Sequence, residues 1–256
     1  MHRPPELAAT VAEAIMQRRP LPAMTCRDLA EGYQLQAAVS DLINNGQQAG
    51  FKAGLTSSAL QKHFGLQAPL LASIYLHGKL ESGCRLTAGQ KQQIECEIGA
   101  IVDSNGNPIA LLPIVELVYL EFSRAEDFTI ANAVAANLGA DRYLCGAISP
   151  WDKSLQTLTV TIEKDGIFHS TQSNQYSFGA PEAGLRWMVD EAKKRDLWHN
   201  TKQNKIMLLG TCGEAFQAEA GNYKISFGTL GAFLFSIEPS HSRACRRPHH
   251  QGRATA

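Results

Sequence analysis

Two glutamates separated by a single residue, Glu95 and Glu97, carry the clearest chemical signal in the sequence. In a β-strand, side chains two residues apart lie on the same face, so these carboxylates would stand side by side, with Ile94, Cys96 and Ile98 on the opposite face. Two carboxylates in a partly closed site repel each other unless one is protonated or a cation lies between them. The spacing therefore favours a site for a divalent cation.

A third carboxylate, Glu116, falls in the otherwise apolar segment 113–119. An unpaired charge buried in such a strand is costly, so Glu116 needs a cation close by. Three carboxylates with further positions open to water or substrate describe a hard-cation site for Mg²⁺ or Mn²⁺, rather than a thiolate or imidazole site for zinc. The plainer alternative, a solvent-facing strand with two ordinary glutamates, accounts for Glu95 and Glu97 but leaves Glu116 unexplained.

The second candidate group is a lysine between two glycines, Lys52 between Gly50 and Gly54. Glycines allow a ligand to approach the backbone closely. The following Thr56 and Ser57 supply hydroxyl groups and a cap for a short helix. A lone lysine of this kind more often faces solvent, so its significance depends on the carboxylates that accompany it.

The elements that must position these groups are predicted to be mainly β-strands. Apolar runs over 94–102 and 109–119 flank turn-forming residues and predict a β-hairpin that carries all three glutamates. A second hairpin is predicted around Lys164-Asp165-Gly166. Beyond these, the pattern predicts a helix over 184–197 and strands over 206–209 and 223–237, the last of which carries Gly228 and Gly231 and so a turn or bulge. Many short strands with few helices predict an α+β fold built on a mixed β-roll or barrel.

The predicted domain organisation has three parts. Residues 1–48 form a helical N-terminal segment, in which a second helix begins at a capping box of Thr25 and Asp28. Residues 49–239 form the β-rich catalytic domain. Residues 240–256 have almost no apolar content and are predicted to be disordered.

Composition excludes several classes of function. The 256 residues include 24 basic and 24 acidic side chains, so there is no broad basic surface for a nucleic acid. No apolar stretch approaches the roughly 20 residues that cross a bilayer, and no apolar leader begins the chain, so neither a membrane partner nor export is expected. The six cysteines are scattered without metal-binding or disulfide spacing. They predict reduced thiols and a cytoplasmic location.

Several motifs occur together in a specific order. They are Gly-Phe-Lys-Ala-Gly-Leu-Thr-Ser at 50–57, Glu-Cys-Glu-Ile at 95–98, Pro-Ile-Val-Glu-Leu-Val at 113–118, Ala-Ala-Asn at 135–137 and Leu-Cys-Gly at 144–146. From about residue 30 to 238, the chain resembles the 2-keto-4-pentenoate hydratase and 4-oxalocrotonate decarboxylase branch of the fumarylacetoacetate hydrolase superfamily. The resemblance implies that superfamily's mixed β-roll.

The resemblance also implies a role for each motif. Family members use a divalent metal, here held by the residues matching Glu95, Glu97 and Glu116, to chelate a small 2-oxo acid through its carboxylate and 2-oxo oxygen. The metal polarises that oxygen and stabilises an enolate. Lys52 matches a lysine that assists proton transfer or carboxylate binding. The positions that match substrate-binding residues are Gly54, Leu55, Thr56, Ser57, Asn137 and Thr211.

Three functions follow from this resemblance. The first is a hydratase that converts 2-hydroxypenta-2,4-dienoate, or a similar acid, to 4-hydroxy-2-oxopentanoate. The second is a decarboxylase of the 4-oxalocrotonate type. The third is a non-catalytic subunit that pairs with an active relative, since family members are homo-oligomers and hydratases associate with decarboxylases. Hydrolysis of an acylpyruvate shares the metal site, but in that branch it needs a lid histidine or glutamate that the sequence does not place.

The chain departs from the family pattern where acidic residues are usual. Leu70, Asn132 and Ala136 stand at three such positions. The metal ligands and the lysine are kept, whereas groups that would activate water are lost. The sequence therefore predicts a divergent member of the branch.

Overall fold

The computed structural model describes residues 4–87, 91–152, 158–173, 181–198 and 203–239. The predicted disorder of the tail from residue 240 lies outside the described residues. The helices are, in chain order, α1 (Pro4–Met16), α2 (Leu29–Asn44), α3 (Ser58–His63), α4 (Ile130–Ala135) and α5 (Pro181–Lys194), with short 3₁₀ turns at Leu76–Gly78, Ala125–Asp127, Asn137–Gly139 and Gly228–Leu230. The first seven strands are β1 (Gly50–Gly54), β2 (Leu70–Ser73), β3 (Lys79–Leu80), β4 (Arg85–Thr87), β5 (Gln92–Val102), β6 (Pro108–Tyr119) and β7 (Ala140–Cys145). The other strands are β8 (Ser149–Pro150), β9 (Thr159–Lys164), β10 (Ile167–Ser173), β11 (Lys205–Thr211), β12 (Phe216–Gln217), β13 (Gly221–Ser226) and β14 (Ala232–Glu238).

The larger of two sheets carries the predicted site. Its strand order is β2-β1-β11-β5-β6-β7-β3, with β12 beside β5 and β8 beside β6. Strand β1 is parallel to β11, whereas β11, β5, β6 and β7 are antiparallel in succession. The sheet curls into a half-barrel, which confirms the predicted α+β class and mixed β-roll. The strand with Lys52 and the hairpin with the glutamates are thus separated by β11 alone.

The smaller sheet packs against one face of the larger one. Its strand order is β10-β9-β13-β14-β4. A single apolar cluster joins Ile98 and Val115 of the large sheet to Ile225 and Phe233 of the small sheet. Burial of these side chains fixes which face of β5 points away from the core, because strand side chains alternate between faces.

Both predicted hairpins are confirmed. Strands β5 and β6 pair antiparallel along their whole length and are joined by a turn in which the Asp103 carboxylate accepts hydrogen bonds from the backbone of Asn105 and Asn107. Strands β9 and β10 pair across Asp165 and Gly166. The helix predicted over 184–197 is present as α5, which begins and ends three residues earlier, at Pro181 and Lys194.

The two N-terminal helices are present and pack on α4 through Val11, Val39 and Ala135. The capping box predicted at Thr25 and Asp28 is wrong. Asp28 is itself the N-cap of α2, and its carboxylate accepts a hydrogen bond of 2.9 Å from the backbone N–H of Glu31. An N-cap side chain must reach an N–H two or three residues further on, and here only Asp28 precedes the first helical residue directly.

None of the described helices is long and apolar enough to cross a membrane. Within the described residues the cysteines are free thiols, namely Cys26, Cys84, Cys96, Cys145 and Cys212.

Candidate metal centre

The register of the β5–β6 hairpin brings the three glutamates together. Glu95 lies directly opposite Glu116, and Glu97 is two residues further along β5 on the same face. One carboxylate oxygen from each residue lies within 4.8 Å of the others. The predicted convergence of Glu95, Glu97 and Glu116 is therefore present in the structure.

The two faces of β5 have different surroundings. Glu97 is 0% exposed and Glu116 is 1% exposed, whereas Glu95 is partly exposed to a cavity. On the opposite face, Ile94 and Cys96 pack into the apolar core, as predicted from the alternation. The site is thus a pair of fully buried carboxylates reached through a third that opens to the cavity.

A bulge in β11 fixes the orientation of Glu97. The pairing of β11 with β5 shifts between Leu208 and Thr211, and the backbone N–H of Gly210 there donates a 2.9 Å hydrogen bond to Glu97 Oε2. Gly210 has a φ of 101°, and a Cβ at this position would lie 2.6 Å from the Thr56 side chain. Only glycine meets both conditions. The sequence predicts a role for the neighbouring Thr211 but not this contact of Gly210, which depends on the register between β11 and β5.

Lys52 pairs with the carboxylate cluster but does not neutralise it. Its Nζ lies 2.6 Å from Glu116 Oε1 and 3.4 Å from the backbone oxygen of Leu138. Glu97 Oε1 and Glu116 Oε2 are buried and have no hydrogen-bond partner among the described residues. One lysine faces three carboxylates, so the cluster still lacks positive charge, and two orphaned oxygens fit a bound cation.

The pKa shifts within the cluster also indicate that it lacks positive charge. Burial, and then the charges of Glu116 and Glu95, hold the pKa of Glu97 well above its ordinary value, and burial likewise raises the pKa of Glu95. Burial lowers the pKa of Lys52, but the charges of Glu116 and Glu95 outweigh that effect and raise its pKa on balance. Lys52 therefore stays protonated, and the carboxylates require either protons or a further cation.

Replacing Glu97 by glutamine is expected to stabilise the metal-free protein. The folded-state pKa of Glu97 is raised above its ordinary value of 4.5. Protonated Glu97 therefore makes its full contribution to the free energy of unfolding below pH 4.5. This contribution is lost as the pH rises through the folded-state pKa. A glutamine stays neutral and its amide can donate to the orphaned oxygen of Glu116. In urea unfolding with EDTA at pH 8, we expect Glu97→Gln to exceed the wild type by about 1–3 kcal/mol.

The difference should shrink as the pH is lowered toward 4.5. With Mg²⁺ in place of EDTA the order should reverse, because only the wild type would gain stability from metal binding. Identical pH dependence of the two proteins in EDTA would contradict the assigned charge state of Glu97.

A cavity of about 470 Å³ leads to the cluster. Lys52 and Glu95 line it, so one cation and one carboxylate of the cluster are accessible to a ligand. Gln93 and Gln217, which are register partners on β5 and β12, also line it. The polar part of the cavity thus combines charged groups at the cluster with two amides beside Glu95.

The glycine-rich segment at the end of β1 forms part of the cavity wall. Gly54 and Leu55 line it. A Cβ at Gly54 would lie 2.8 Å from a terminal methyl group of Leu138, so a larger residue here would displace the Leu138 side chain in the cavity wall. Thr56 packs against Gly210, and Ser57 caps α3 by accepting a hydrogen bond of 3.2 Å from the backbone N–H of Leu60.

Of the predicted substrate-binding residues, Gly54 and Leu55 line the described cavity, whereas Thr56, Ser57, Asn137 and Thr211 do not. The Thr211 hydroxyl lies 3.4 Å from the backbone oxygen of Cys96. The Asn137 side chain is fully buried and accepts a 2.9 Å hydrogen bond from the Ser73 N–H while it donates one of 2.6 Å to the Ser73 carbonyl. These contacts join β2 to the turn that ends α4, so Asn137 holds these two segments together.

The turn that Asn137 anchors is strained. Asn137 and Leu138 have φ values of 54° and 51°, in the left-handed region that bulky residues rarely adopt. This conformation aims the Leu138 carbonyl at Lys52 and places the Leu138 side chain in the cavity wall. Sequence reasoning did not identify Leu138, because nothing in its residue type marks a left-handed turn.

Asn137→Ala is expected to destabilise the protein by about 2–4 kcal/mol in urea unfolding. The substitution removes two buried hydrogen bonds and the residue type that best tolerates positive φ. The matched control is Asn45→Ala, because Asn45 has a φ of 51° but lies exposed at the C-terminus of α2. We expect this control to cost about 1 kcal/mol or less. Equal effects of the two substitutions would contradict the role given to the bonds with Ser73.

The three positions where acidic residues are missing lie inside the protein. Leu70 packs in the cluster beneath α5, and Ala136 packs against the N-terminal helices. Asn132 accepts a hydrogen bond from the Cys26 N–H and donates to the carbonyls of Met24 and Asp127. None of the three lines the described cavity, so in this chain they serve packing and loop anchoring.

The fold is that of several structurally characterised enzymes. The chain superposes on 4-oxalocrotonate decarboxylase from Pseudomonas putida G7, complexed with magnesium and adipate, with a TM-score of 0.74, 17% sequence identity and coverage of 92% of this chain and 97% of the other. For fumarylpyruvate hydrolase from Pseudomonas aeruginosa, in complex with Mn²⁺ and pyruvate, the TM-score is 0.52, the identity is 10% and the coverage is 73% and 88%. For 2-keto-3-deoxy-D-arabinonate dehydratase, complexed with magnesium and 2,5-dioxopentanoate, the TM-score is 0.55 and the sequence identity is 13%. The superposition covers 75% of this chain and 73% of the other.

No protein-family model and no curated protein matches the chain. The structural similarities confirm the fold that the sequence resemblance implied.

Proposed function

We propose that the protein is a divalent-metal-dependent lyase for a small 2-oxo acid and a divergent member of the fumarylacetoacetate hydrolase superfamily. One observation carries the proposal. Three carboxylates converge beside a cavity that Glu95 lines, the other two keep buried oxygens without partners among the described residues, and a protonated lysine lies beside them. A site of this kind binds a cation and an anionic ligand together.

Mg²⁺ or Mn²⁺ is the proposed cofactor, with Glu95, Glu97 and Glu116 as its ligands. An all-oxygen donor set favours these hard cations. Fold neighbours support the choice, because they were characterised with magnesium and adipate, and with Mn²⁺ and pyruvate. When bound, such a cation supplies Lewis-acid polarisation of the 2-oxo group of the substrate.

Lys52 is proposed to bind the acid and to stabilise charge that develops on it. An ammonium group has three N–H donors, and the two contacts with Glu116 and the Leu138 carbonyl account for two of them. The third is left for a ligand in the cavity that Lys52 lines. A fixed positive charge in a buried site stabilises negative charge that grows on the substrate oxygen during enolisation.

Hydration is the first proposed reaction. Gln93 and Gln217 line the cavity beside Glu95, and an amide oxygen can accept a hydrogen bond from a water molecule and orient it. The substrate would be 2-hydroxypenta-2,4-dienoate or a similar dienoate, and the product would be a 4-hydroxy-2-oxo acid. Formation of this product requires proton delivery to C5 and water addition at C4.

Decarboxylation is the second candidate. It is favoured by the high fold similarity to 4-oxalocrotonate decarboxylase over nearly the whole length of both chains. Decarboxylation also needs no group that activates water. This requirement suits a cavity whose described lining contains a single carboxylate, Glu95, which is proposed as a metal ligand. The two candidates share the metal, Lys52 and an enolic intermediate.

The test is incubation of the Mg²⁺- or Mn²⁺-loaded protein with 2-hydroxypenta-2,4-dienoate and, separately, with 4-oxalocrotonate. Decay of dienol absorbance with formation of 4-hydroxy-2-oxopentanoate would establish the hydratase, and release of CO₂ would establish the decarboxylase. The control is the same protein in EDTA. If neither substrate reacts faster than without protein, and calorimetry detects no metal-dependent oxalate binding, the enzyme proposal fails and a non-catalytic partner subunit is the explanation that stands.

A further inference from the structure

We propose that the substrate is a 2-oxo monocarboxylic acid with an alkyl or aryl tail, rather than a dicarboxylic acid. The inference rests on the proposed function, because it takes the 2-oxo acid head to lie at the carboxylate cluster. It adds the chemical class of the remainder of the molecule. Because 4-oxalocrotonate is a dicarboxylate, the inference also favours hydration over the second candidate reaction.

The cavity beyond the cluster is walled by apolar side chains from widely separated segments. They include Leu55, Phe64, Val118, Leu120, Phe128 and Leu138. Phe128 is 49% exposed, and Val118, Leu120 and Phe64 are only partly buried. An apolar ligand in this space would cover surface that otherwise faces water, which is favourable in proportion to the area covered.

The described lining offers no free cation for a second carboxylate. Its ionisable groups are Lys52, Lys91 and Glu95. Lys52 lies at the cluster, where its remaining N–H serves the head group, and Lys91 is 62% exposed with its Nζ 3.1 Å from Glu121. A distal carboxylate would lose water among apolar groups without a fixed partner, which is unfavourable.

The volume supports a tail of some size. About 470 Å³ lies within the range of roughly 300–1,000 Å³ typical of cavities that enclose drug-sized ligands. A five-carbon dienoate would leave much of the apolar wall uncovered. The geometry therefore favours a longer or aromatic tail over the shortest acids.

The experiment is calorimetric titration of the Mg²⁺-loaded full-length protein with 2-oxo acids that share one head group. The series is pyruvate, 2-oxohexanoate, 2-oxooctanoate and phenylpyruvate, with 2-oxoadipate as the dicarboxylate of the same chain length as 2-oxohexanoate. We expect affinity to rise at least about tenfold from pyruvate to 2-oxooctanoate. We expect 2-oxoadipate to bind at least about tenfold more weakly than 2-oxohexanoate.

Phe128→Arg should invert the second preference, because it places a guanidinium in the apolar wall where a distal carboxylate would lie. The matched control is Phe168→Arg. Phe168 is also an exposed phenylalanine, at 62%, but it lies on β10 and does not line this cavity. The control should keep the order of affinities found for the wild type.

Affinities that do not change with tail length, or 2-oxoadipate binding as tightly as 2-oxohexanoate, would overturn this inference alone. Absence of metal-dependent binding for oxalate and for every acid in the series would overturn the proposed function, and this inference with it. The two failures are therefore distinguishable in one set of titrations.

Discussion

Replacement of Glu95 by glutamine is expected to weaken Mg²⁺ binding by about a hundredfold or more and to reduce turnover of any 2-oxo acid substrate to background. Glu95 is the carboxylate of the cluster that faces the cavity, and it stands opposite Glu116 across the hairpin. The amide keeps the shape of the side chain but removes the charge that attracts the cation. Calorimetric titration with Mg²⁺ measures the first effect, and the dienol assay measures the second.

The matched control for Glu95→Gln is Glu163→Gln. Glu163 also lies on a strand, β9 of the smaller sheet, and its carboxylate is 3.2 Å from Lys224. This variant should bind Mg²⁺ and turn over substrate like the wild type. If Glu95→Gln kept its Mg²⁺ affinity, the three glutamates would have no common role as metal ligands.

The second large effect is expected from Lys52→Met. Turnover should fall by about 10²–10⁴-fold, the usual cost of losing a positioned acid–base or charge-stabilising group. Mg²⁺ affinity should be kept or increased, because a positive charge 2.6 Å from Glu116 is removed. Separate titrations with Mg²⁺ and with oxalate distinguish loss of the metal from loss of the anion partner.

These measurements should be made at saturating Mg²⁺. Without metal, Lys52→Met leaves Glu116 buried without its ion-pair partner, which is expected to cost about 3–5 kcal/mol of stability. Lys224→Met is the matched control, because it breaks the exposed pair with Glu163, for which the expected cost is about 1 kcal/mol or less. If Lys52→Met lost Mg²⁺ binding and turnover in parallel, Lys52 would be a structural support of the metal site rather than a group that acts on substrate.

The ion pair between Lys52 and Glu116 bears on the metal assignment, because a lysine can take the place of a cation among carboxylates. Here the lysine contacts Oε1 of Glu116 and leaves Oε2 without a partner, together with Oε1 of Glu97. A single positive charge leaves the cluster with an excess of negative charge. The pair therefore orients Lys52 at the edge of the site while the buried oxygens stay available to a metal.

The amino-acid sequence by itself determined the local part of this arrangement. The i, i+2 spacing of Glu95 and Glu97 fixes their common face in any strand, and the apolar neighbours fix which face is buried. The turn residues after Val102 fix the hairpin, and the cap at Ser57 fixes the start of α3. Each of these features depends on residues a few positions apart, so pattern and residue type suffice to predict them.

Only the tertiary structure decided which distant groups meet the carboxylates. The bulge at Gly210 aims an N–H at Glu97, and β11 brings Lys52 to Glu116 across the sheet. The left-handed turn at Leu138 places a backbone carbonyl beside Lys52. The side chain of Asn137 stabilises that turn by its hydrogen bond to Ser73. These contacts depend on strand order, register and packing between segments far apart in the chain. Strand order, register and packing are set by burial of the whole core. The residues next to a given position in the sequence therefore do not reveal them.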